Sequence, residues 1–373
     1  MASSKQFFVG DPVPDFACPS SNNAMFHFDT CAGRYLVLSF FGSAADPRAR
    51  AALVEVNKGP MRALFDDRKI SFFGISIDPV DEAQPRIKQS SPGIRYFWDF
   101  AREVSTLYGA LDADGSYRPF TLVLDPAQRV IANIALEDAA QHNQALEALL
   151  NRLPEIDDHA GVPIHAPVLI VPRVFEPGFC RQLIGLYEQH GGTPTGVMRE
   201  KDGKTVGVLN NDFKRRKDFT FETDAAHEKL RQDIATRFRR RLVPEIRRAF
   251  QFEVTHIERY LVACYEGEEG GFFRAHRDNT TKGTAHRRFA CTLNLNTEEY
   301  EGGDLRFPEF GRHTYRAPMG GAVIFSCSLL HEATPVTAGR RYAFLPFLYD
   351  AAASEIRRQN AEYLTGEVIN QNP

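Results

Sequence analysis

Apolar runs of strand-like character recur through the first half of this chain and are interleaved with helix-like stretches. The strand-like runs cover residues 35–41, 70–77 and 120–134, and the helix-like stretches cover about 48–65 and 139–153. Strands that alternate with helices favour a mixed sheet with helices on both faces. The first half is therefore predicted to be an α/β domain.

The second half carries its main strand-like runs after a helical region that spans about residues 224–249. The runs cover residues 257–265, 272–278, 322–326 and 342–348. Separated strands of this kind fit a double-stranded β-helix, or jelly roll, whose mouth holds ligands. We expect a mainly-β domain with flanking helices.

The boundary between the two halves is expected in a polar, proline-punctuated segment. A chain of 373 residues is long for a single core, so two domains are the default expectation. We predict a first domain at 1–153, a linker at 154–164 and a second domain at 165–373.

Composition argues against several classes of partner and location. The net charge is −3, and the basic runs at 214–217 and 237–241 have acidic neighbours, so we interpret them as solvated surface and not as a nucleic-acid site. No apolar run approaches the roughly 20 residues needed to span a bilayer, and no signal-peptide pattern is present. Six scattered cysteines are typical of free thiols in a reducing compartment, so a cytoplasmic protein without a membrane partner is expected.

Three side chains in the second half form a candidate metal site. His276 and Asp278 lie two residues apart in a strand-like run, so they share one face of the strand, and His331 follows 53 residues after Asp278. Two imidazoles and one carboxylate hold ferrous iron on one face and leave the other positions open. Zinc accepts the same ligand set and is the competing interpretation.

The first half resembles the peroxiredoxins of the thioredoxin fold. The resemblance is carried by Val-Gly-Asp-Pro-Val-Pro-Asp-Phe at 9–16, the strand at 36–41, Tyr-Gly at 108–109, and Arg118 ahead of the strand at 120–125.

The resemblance fails at the peroxiredoxin nucleophile. The family carries Thr-Pro-x-Cys after the first strand, whereas this chain has Asp46, Pro47 and Ala49. Because the thiolate is the nucleophile, we predict a degenerate domain without peroxidase turnover, used for packing, homodimerisation or partner docking. The remaining cysteines of this half, Cys18 and Cys31, are expected to be buried or idle.

The second half resembles the prolyl 4-hydroxylase-like branch of the 2-oxoglutarate- and Fe(II)-dependent oxygenases. The resemblance spans 168–350 and is carried by the motifs at 263–265, 276–279, 300–305, 320–325 and 331–343. It implies that His276, Asp278 and His331 are the iron ligands. It further implies that Arg341 binds the distal carboxylate of 2-oxoglutarate, with Arg340 as the alternative, because a guanidinium grips a carboxylate bidentately.

The resemblance also identifies polar residues around the co-substrate. Tyr265 aligns with a tyrosine that lines the pocket in relatives. Asn294 stands where some relatives place a tyrosine that contacts the same carboxylate, and Thr292, on the same strand face, is the other candidate contact.

The activity implied by the resemblance is an oxygen-dependent hydroxylation. In the family, 2-oxoglutarate chelates Fe(II) through its keto oxygen and adjacent carboxylate and is converted to succinate and CO2, with ascorbate as a reductant. The leading hypothesis for the substrate is a prolyl residue of a peptide or protein; a free amino acid, another small molecule, or a catalytically silent scaffold are alternatives.

A segment of the second half is a candidate for substrate contact. Residues 196–217 are glycine- and charge-rich and are expected to form either a loop over the active site or a plain surface excursion. The side chains expected to contact substrate there are Asn210, Asn211, Lys214 and Arg215.

Overall fold

The computed structural model describes residues 6–222 and 225–370. The chain divides into two compact units. The first comprises Met1–His165 with Pro308–Arg312, and the second comprises Ala166–Phe307 with His313–Pro373. The domain bounds predicted above remain a prediction; the segment expected to be a linker includes a 3-10 turn at Ile156–Asp158.

The first unit is built on a mixed sheet. Its strands are β1 Ala17–Ser20, β2 Asn23–His27, β3 Tyr35–Gly42, β4 Ile70–Ser76, β5 Ile94–Trp98, β6 Phe120–Leu124 and β7 Val130–Ala135. Its helices are α1 Pro47–Lys58, α2 Pro79–Ala83, α3 Glu103–Leu107 and α4 Ala139–Leu150. The strand order is β2-β1-β5-β4-β3-β6-β7, with β3, β4 and β5 parallel and the other pairs antiparallel.

The central strands of this sheet are buried on both faces. Every residue of β3 and of β4 is buried, which explains their unbroken apolar runs. Separate apolar clusters, one containing Val37 and the other Leu36 and Leu38, pack against alternate residues of β3. The α/β class predicted for this half is confirmed.

Helix α1 contains the position at which the peroxiredoxin nucleophile is missing. Asp46 caps the helix by accepting a hydrogen bond from the backbone nitrogen of Arg48 (2.8 Å), Pro47 occupies the first turn, and Ala49 is buried. The helix ends at Lys58 instead of continuing to residue 65 as predicted. Gly59 and Pro60 interrupt it, because proline cannot donate to the preceding turn, and a 3-10 turn follows at Pro60–Leu64.

The second unit is mainly β. Its strands are β8 Leu169–Val171, β9 Thr193–Pro194, β10 Val197–Lys201, β11 Lys204–Leu209, β12 Lys214–Arg215, β13 Lys217–Thr220, β14 His256–Glu258, β15 Leu261–Glu266, β16 Phe272–His276, β17 Phe289–Asn294, β18 Tyr300–Gly302, β19 Leu305–Arg306, β20 Thr314–Tyr315, β21 Ala322–Ser326, β22 His331–Ala333, β23 Val336–Phe344, β24 Phe347–Tyr349 and β25 Leu364–Asn370. Its helices are α5 Pro177–His190, α6 Glu228–Arg237, α7 Val243–Phe250 and α8 Ala351–Gln359.

Two sheets of this unit position the candidate site. The larger has the order β14-β24-β17-β23-β15-β13-β9, with β18 on β23 and with β21 joining β17 to β8; the smaller has the order β12-β16-β22-β19-β20. Among the described residues, the paired strands of these two sheets are antiparallel. The mainly-β jelly-roll class predicted for this half is confirmed.

Three local predictions for this half need correction. Residues 196–217 are not a loop: β10 and β11 form a hairpin, and β25 pairs parallel with β11. The strand predicted at 272–278 ends at His276, so Asp278 lies beyond it. The strand predicted to start at residue 342 is part of β23, which already begins at Val336.

The helical region after the hairpin is interrupted where the sequence places a proline. A π-helical turn at Phe238–Leu242 separates α6 from α7, and Pro244 follows it in the first turn of α7. Proline crowds the carbonyl of the preceding turn and lacks a donor, so the helical ladder widens there. Within the described ranges, no helix is both long and apolar enough to cross a bilayer.

Candidate metal centre

Adjacent strands of the smaller sheet bring the predicted ligands together. His276 ends β16, His331 begins β22, and the two residues lie opposite each other in the antiparallel register. Asp278 follows two residues later and is fixed by a hydrogen bond from its backbone nitrogen to the carbonyl of Cys327 (3.0 Å). The ligand atoms of the three side chains all lie within 4.8 Å of one another. We call these three residues the triad.

Both imidazoles are oriented by backbone carbonyls. His276 Nδ1 lies 2.7 Å from the carbonyl oxygen of Arg274, and His331 Nδ1 lies 3.0 Å from that of Leu329. This contact favours a proton on Nδ1 and leaves the Nε2 lone pairs free for a metal. The Nε2 atoms point at Asp278, at 3.6 Å for His276 and 3.3 Å for His331.

Burial supports the neutral, metal-binding form of the first imidazole. Burial and the neighbouring His331 ring lower the pKa of His276 well below its usual value. A neutral imidazole is the form that coordinates metals. Aromatic rings restrict both ligands: Phe273 stacks on His276 with centroids 3.6 Å apart, and Phe325 packs on His331 at 4.6 Å.

A buried charge cluster lies behind Asp278. Arg287 donates to the carbonyl of Asp278 (3.4 Å) and to Oε1 of Glu258 (2.8 Å), and His286 lies 2.5 Å from Oε2 of Glu258. Burial raises the pKa of Glu258, but the charges and hydrogen bonds of Arg287 and His286 outweigh it and lower the pKa well below its usual range. These contacts hold the carboxylate ligand's backbone in place.

A cavity opens next to the triad, and several of the residues predicted to contact the co-substrate line it. Besides the triad, its polar lining includes Tyr265, Thr292, Arg216, Arg259 and Arg341. Most of the rest is apolar, which suits a site that must exclude water from the reacting atoms.

Arg341 and Arg340, the two candidates for binding the distal carboxylate of 2-oxoglutarate, have different surroundings in the structure. Arg341 is buried (2% exposed) and lies opposite Tyr265 in the pairing of β15 with β23, with its guanidinium 4.9 Å from the tyrosine ring. Its Nε has no hydrogen-bond partner among the described residues. Arg340 is exposed and is not part of the cavity lining. The geometry therefore favours Arg341 for the carboxylate.

Asn294 and Thr292 are placed differently with respect to the cavity. The Asn294 amide nitrogen donates to the carbonyl of Ala317 (2.9 Å), and the residue is outside the cavity lining. Thr292 lines the cavity and is the better placed of the two for a second contact.

The residues expected to contact substrate from 196–217 have different surroundings. Lys214 is buried, and its Nζ donates to Oγ1 of Thr195 (2.8 Å) and to the carbonyl of Gly196 (3.0 Å). Burial and the neighbouring Arg216 lower its pKa well below the usual value. Asn211 and Arg215 are exposed, and Asn210 is partly buried. Their contact with substrate remains a prediction.

Sequence reasoning missed a charge network in the cavity wall. Arg216 donates to Oδ2 of Asp218 (2.7 Å) and to the Tyr265 hydroxyl (3.4 Å), and Arg259 lies 3.8 Å from the same Asp218 oxygen. Burial raises the pKa of Asp218, but the charges of Arg216 and Lys214 outweigh it and lower the pKa to about 2. Opposite charges two residues apart in a strand were an available signal for Arg216 and Asp218. Arg259 had none.

Comparison with known proteins finds a family model that matches part of each half. Residues 260–349 match the model described as "2OG-Fe(II) oxygenase superfamily", and residues 9–133 match the "AhpC/TSA family". The two resemblances predicted from the sequence are confirmed, and the triad and Arg341 lie within the matched residues 260–349.

Individual relatives match only parts of the chain. A PKHD-type hydroxylase of Cupriavidus metallidurans is 39% identical over 95 residues, which cover 23% of this chain and 42% of that protein. The chain spans less than half the length of the first curated relatives it matches.

Solved structures resemble each half. A prolyl hydroxylase from Trichoplax adhaerens, in complex with a hypoxia inducible factor oxygen degradation domain peptide fragment, is 18% identical with a TM-score of 0.41, covering 58% of this chain and 94% of its own. Peroxidoxin BcpB from Mycobacterium tuberculosis is 21% identical with a TM-score of 0.33, covering 40% of this chain and 100% of its own.

The triad fits the ion implied by the superfamily whose model matches residues 260–349. Ligand atoms from two imidazoles and a carboxylate lie within 4.8 Å of one another, and both Nδ1 atoms are already engaged. Two histidines and one carboxylate are the donor set typical of non-haem iron oxygenases. The adjoining cavity also contains the guanidinium of Arg341.

Proposed function

We propose that this protein is an Fe(II)- and 2-oxoglutarate-dependent dioxygenase that hydroxylates an unactivated carbon of a prolyl residue in a peptide or protein. The supporting observation is that the triad lines one cavity together with the guanidinium of Arg341, which makes no hydrogen bond to the described residues. The oxygenase match covers the same residues.

In this proposal, His276, Asp278 and His331 hold the metal. When bound, iron and 2-oxoglutarate would supply the oxidising chemistry, in which O2 gives one oxygen atom to the oxoacid, which becomes succinate and CO2, and the other to the hydroxylated carbon. Backbone carbonyls keep the two histidine rings in one tautomer, and Phe273 and Phe325 prevent them from turning.

Arg341 orients the co-substrate through its distal carboxylate. A buried guanidinium with no hydrogen bond to the described residues is free to bind a carboxylate with two parallel hydrogen bonds, and this fixes the direction of the molecule. Tyr265 packs beside the guanidinium, and Thr292 is the candidate for a further hydrogen bond. The apolar lining keeps bulk water away from the reacting atoms.

The decisive experiment is an anaerobic titration of the full-length protein with Fe(II) and 2-oxoglutarate. A metal-to-ligand charge-transfer band that bleaches on exposure to oxygen, with formation of succinate, is expected. A protein that acts only as a scaffold gives no such band. Proline-containing peptides and free L-proline, screened for faster 2-oxoglutarate consumption, then separate a protein substrate from a small molecule. Dependence of repeated turnover on ascorbate is measured in the same assay.

A further inference from the structure

The cavity beside the triad contains more positive charge than one co-substrate needs. Three guanidinium groups line it, those of Arg216, Arg259 and Arg341, whereas the lining carboxylate is Asp278 of the triad. A guanidinium has five N–H donors, and leaving them unpaired away from water is unfavourable. The hydrogen bonds of each arginine therefore indicate what the cavity must still supply.

The protein satisfies Arg216 in part. Its terminal nitrogens donate to Asp218 and to the Tyr265 hydroxyl, whereas its Nε has no partner among the described residues. Neither Arg341 nor Arg259 makes a guanidinium hydrogen bond within residues 6–222 and 225–370, where Arg259 donates only through its backbone nitrogen. The cavity thus contains two guanidinium groups that make no hydrogen bond in the described part of the chain.

The charge of Arg259 is only partly compensated. Its nearest carboxylate oxygen, in Asp218, is 3.8 Å away, beyond hydrogen-bond distance, and is already bonded to Arg216. Burial and the like charges of Arg216 and Arg287 outweigh the carboxylates of Asp218 and Glu258 and lower the pKa of Arg259 to about 10, so it is still a cation at neutral pH. Its side chain is 26% exposed and lines the cavity.

The two arginines lie near opposite ends of β15. Arg341 pairs with Tyr265 near the end of the strand, whereas Arg259 precedes the first residue of the strand by two positions. Arg259 also has a left-handed backbone conformation (φ 71°), which interrupts the strand between β14 and β15. Non-glycine residues in that conformation cluster at ligand sites.

One carboxylate of 2-oxoglutarate is available for a guanidinium, because under the proposed function the other chelates the metal. If Arg341 binds it, Arg259 is left for a second anion. We propose that Arg259 binds a carboxylate of the substrate to be hydroxylated, so that the substrate is an acidic molecule. The carboxylate belongs either to a free amino acid or to an acidic side chain beside the target residue of a peptide.

The inference rests on the iron and 2-oxoglutarate chemistry of the proposed function and is tested by binding under anaerobic conditions. Full-length protein loaded with Fe(II) and saturating 2-oxoglutarate is titrated with matched acids and amides. The pairs are L-proline with L-prolinamide, and acetyl-Pro-Glu-amide with acetyl-Pro-Gln-amide. Binding is followed by perturbation of the charge-transfer band and by the thermal unfolding midpoint. The pair that responds identifies the source of the carboxylate.

The expected result is that at least one acid binds about tenfold or more tightly than its amide, the gain expected of a charge-assisted hydrogen bond. Arg259→Met reduces the difference to within about threefold, and Arg259→Lys retains part of it because the charge remains. Arg247→Met, at a side chain that is 72% exposed, behaves as the wild type. In Arg259→Met, binding of 2-oxoglutarate itself is unchanged.

Three results overturn the proposal: no acid binds better than its amide in the wild type, Arg259→Met keeps the preference, or Arg259→Met weakens 2-oxoglutarate as Arg341→Met does. The last result would assign Arg259 to the co-substrate. Absence of any charge-transfer band in the wild type is a different failure, because it refutes the proposed function itself.

Discussion

Replacing Arg341 with methionine tests the assignment of the co-substrate site most directly. The substitution removes the guanidinium and keeps most of the side-chain length. Because the Arg341 side chain makes no hydrogen bond within the described part of the chain, folding loses only its packing and its contact with the Tyr265 ring, 4.9 Å away. We expect the thermal midpoint to stay close to that of the wild type. The effect of the substitution should appear as a lower affinity for 2-oxoglutarate.

The size of that loss follows from burial. Arg341 is 2% exposed, so its interaction with a carboxylate is little screened by solvent. Truncating one partner of a buried, hydrogen-bonded charge pair costs about 2–5 kcal/mol. A value of about 3 kcal/mol corresponds to a roughly 100-fold weaker affinity for 2-oxoglutarate. The neighbouring Arg340 is exposed, and Arg340→Met should change the affinity by no more than about twofold.

The assay is the anaerobic charge-transfer titration, run with 2-oxoglutarate and with 2-oxovalerate, which has the same chain length and no distal carboxylate. Arg341→Met should weaken binding of 2-oxoglutarate and leave that of 2-oxovalerate nearly unchanged. A variant that binds 2-oxoglutarate within about threefold of the wild type would falsify the assignment. A larger loss in Arg340→Met than in Arg341→Met would reverse it.

Three further predictions concern the metal, the charge network and the first unit. His331→Ala should abolish the charge-transfer band and retain the fold, as checked by metal analysis and circular dichroism; a full band would exclude the triad as ligands. Asp218→Asn should lower the free energy of unfolding by about 3–5 kcal/mol, because it leaves buried cations unpaired; denaturant unfolding measures it, and a change below 1 kcal/mol would contradict the network. Since the folded pKa of Asp218 is about 2 and the unfolded value is ~3.9, its stabilisation is complete above about pH 4 and is lost as the pH falls toward 2, and Asp218→Asn should flatten this acid limb. Thiol-dependent peroxide consumption should be absent, because burial raises the pKa of Cys18 and Cys31 to about 12; turnover that disappears in Cys18→Ser or Cys31→Ser would refute this.

Much of the fold was predictable because the relevant signals are local. The buried strands β3 and β4 appear as continuous apolar runs, and α1 begins where a capping aspartate precedes a proline. The predicted ends of helices and strands were less accurate. The hairpin at 197–209 was missed because its glycines and charges are typical of loops, and its partner β25 lies more than 150 residues away in sequence.

The sequence by itself determined which chemical groups are available: a His-x-Asp pair with a distant histidine, two candidate arginines, and alanine in place of the peroxiredoxin cysteine. Only the tertiary structure decided which of these groups meet. Strand pairing places His276 opposite His331, and strand alternation buries Arg341 while exposing Arg340. The tertiary structure also places Arg259 in the cavity lining, where its guanidinium makes no hydrogen bond in the described chain. Ligand type is a property of single residues, whereas burial and unsatisfied hydrogen bonds depend on neighbours that are distant in sequence.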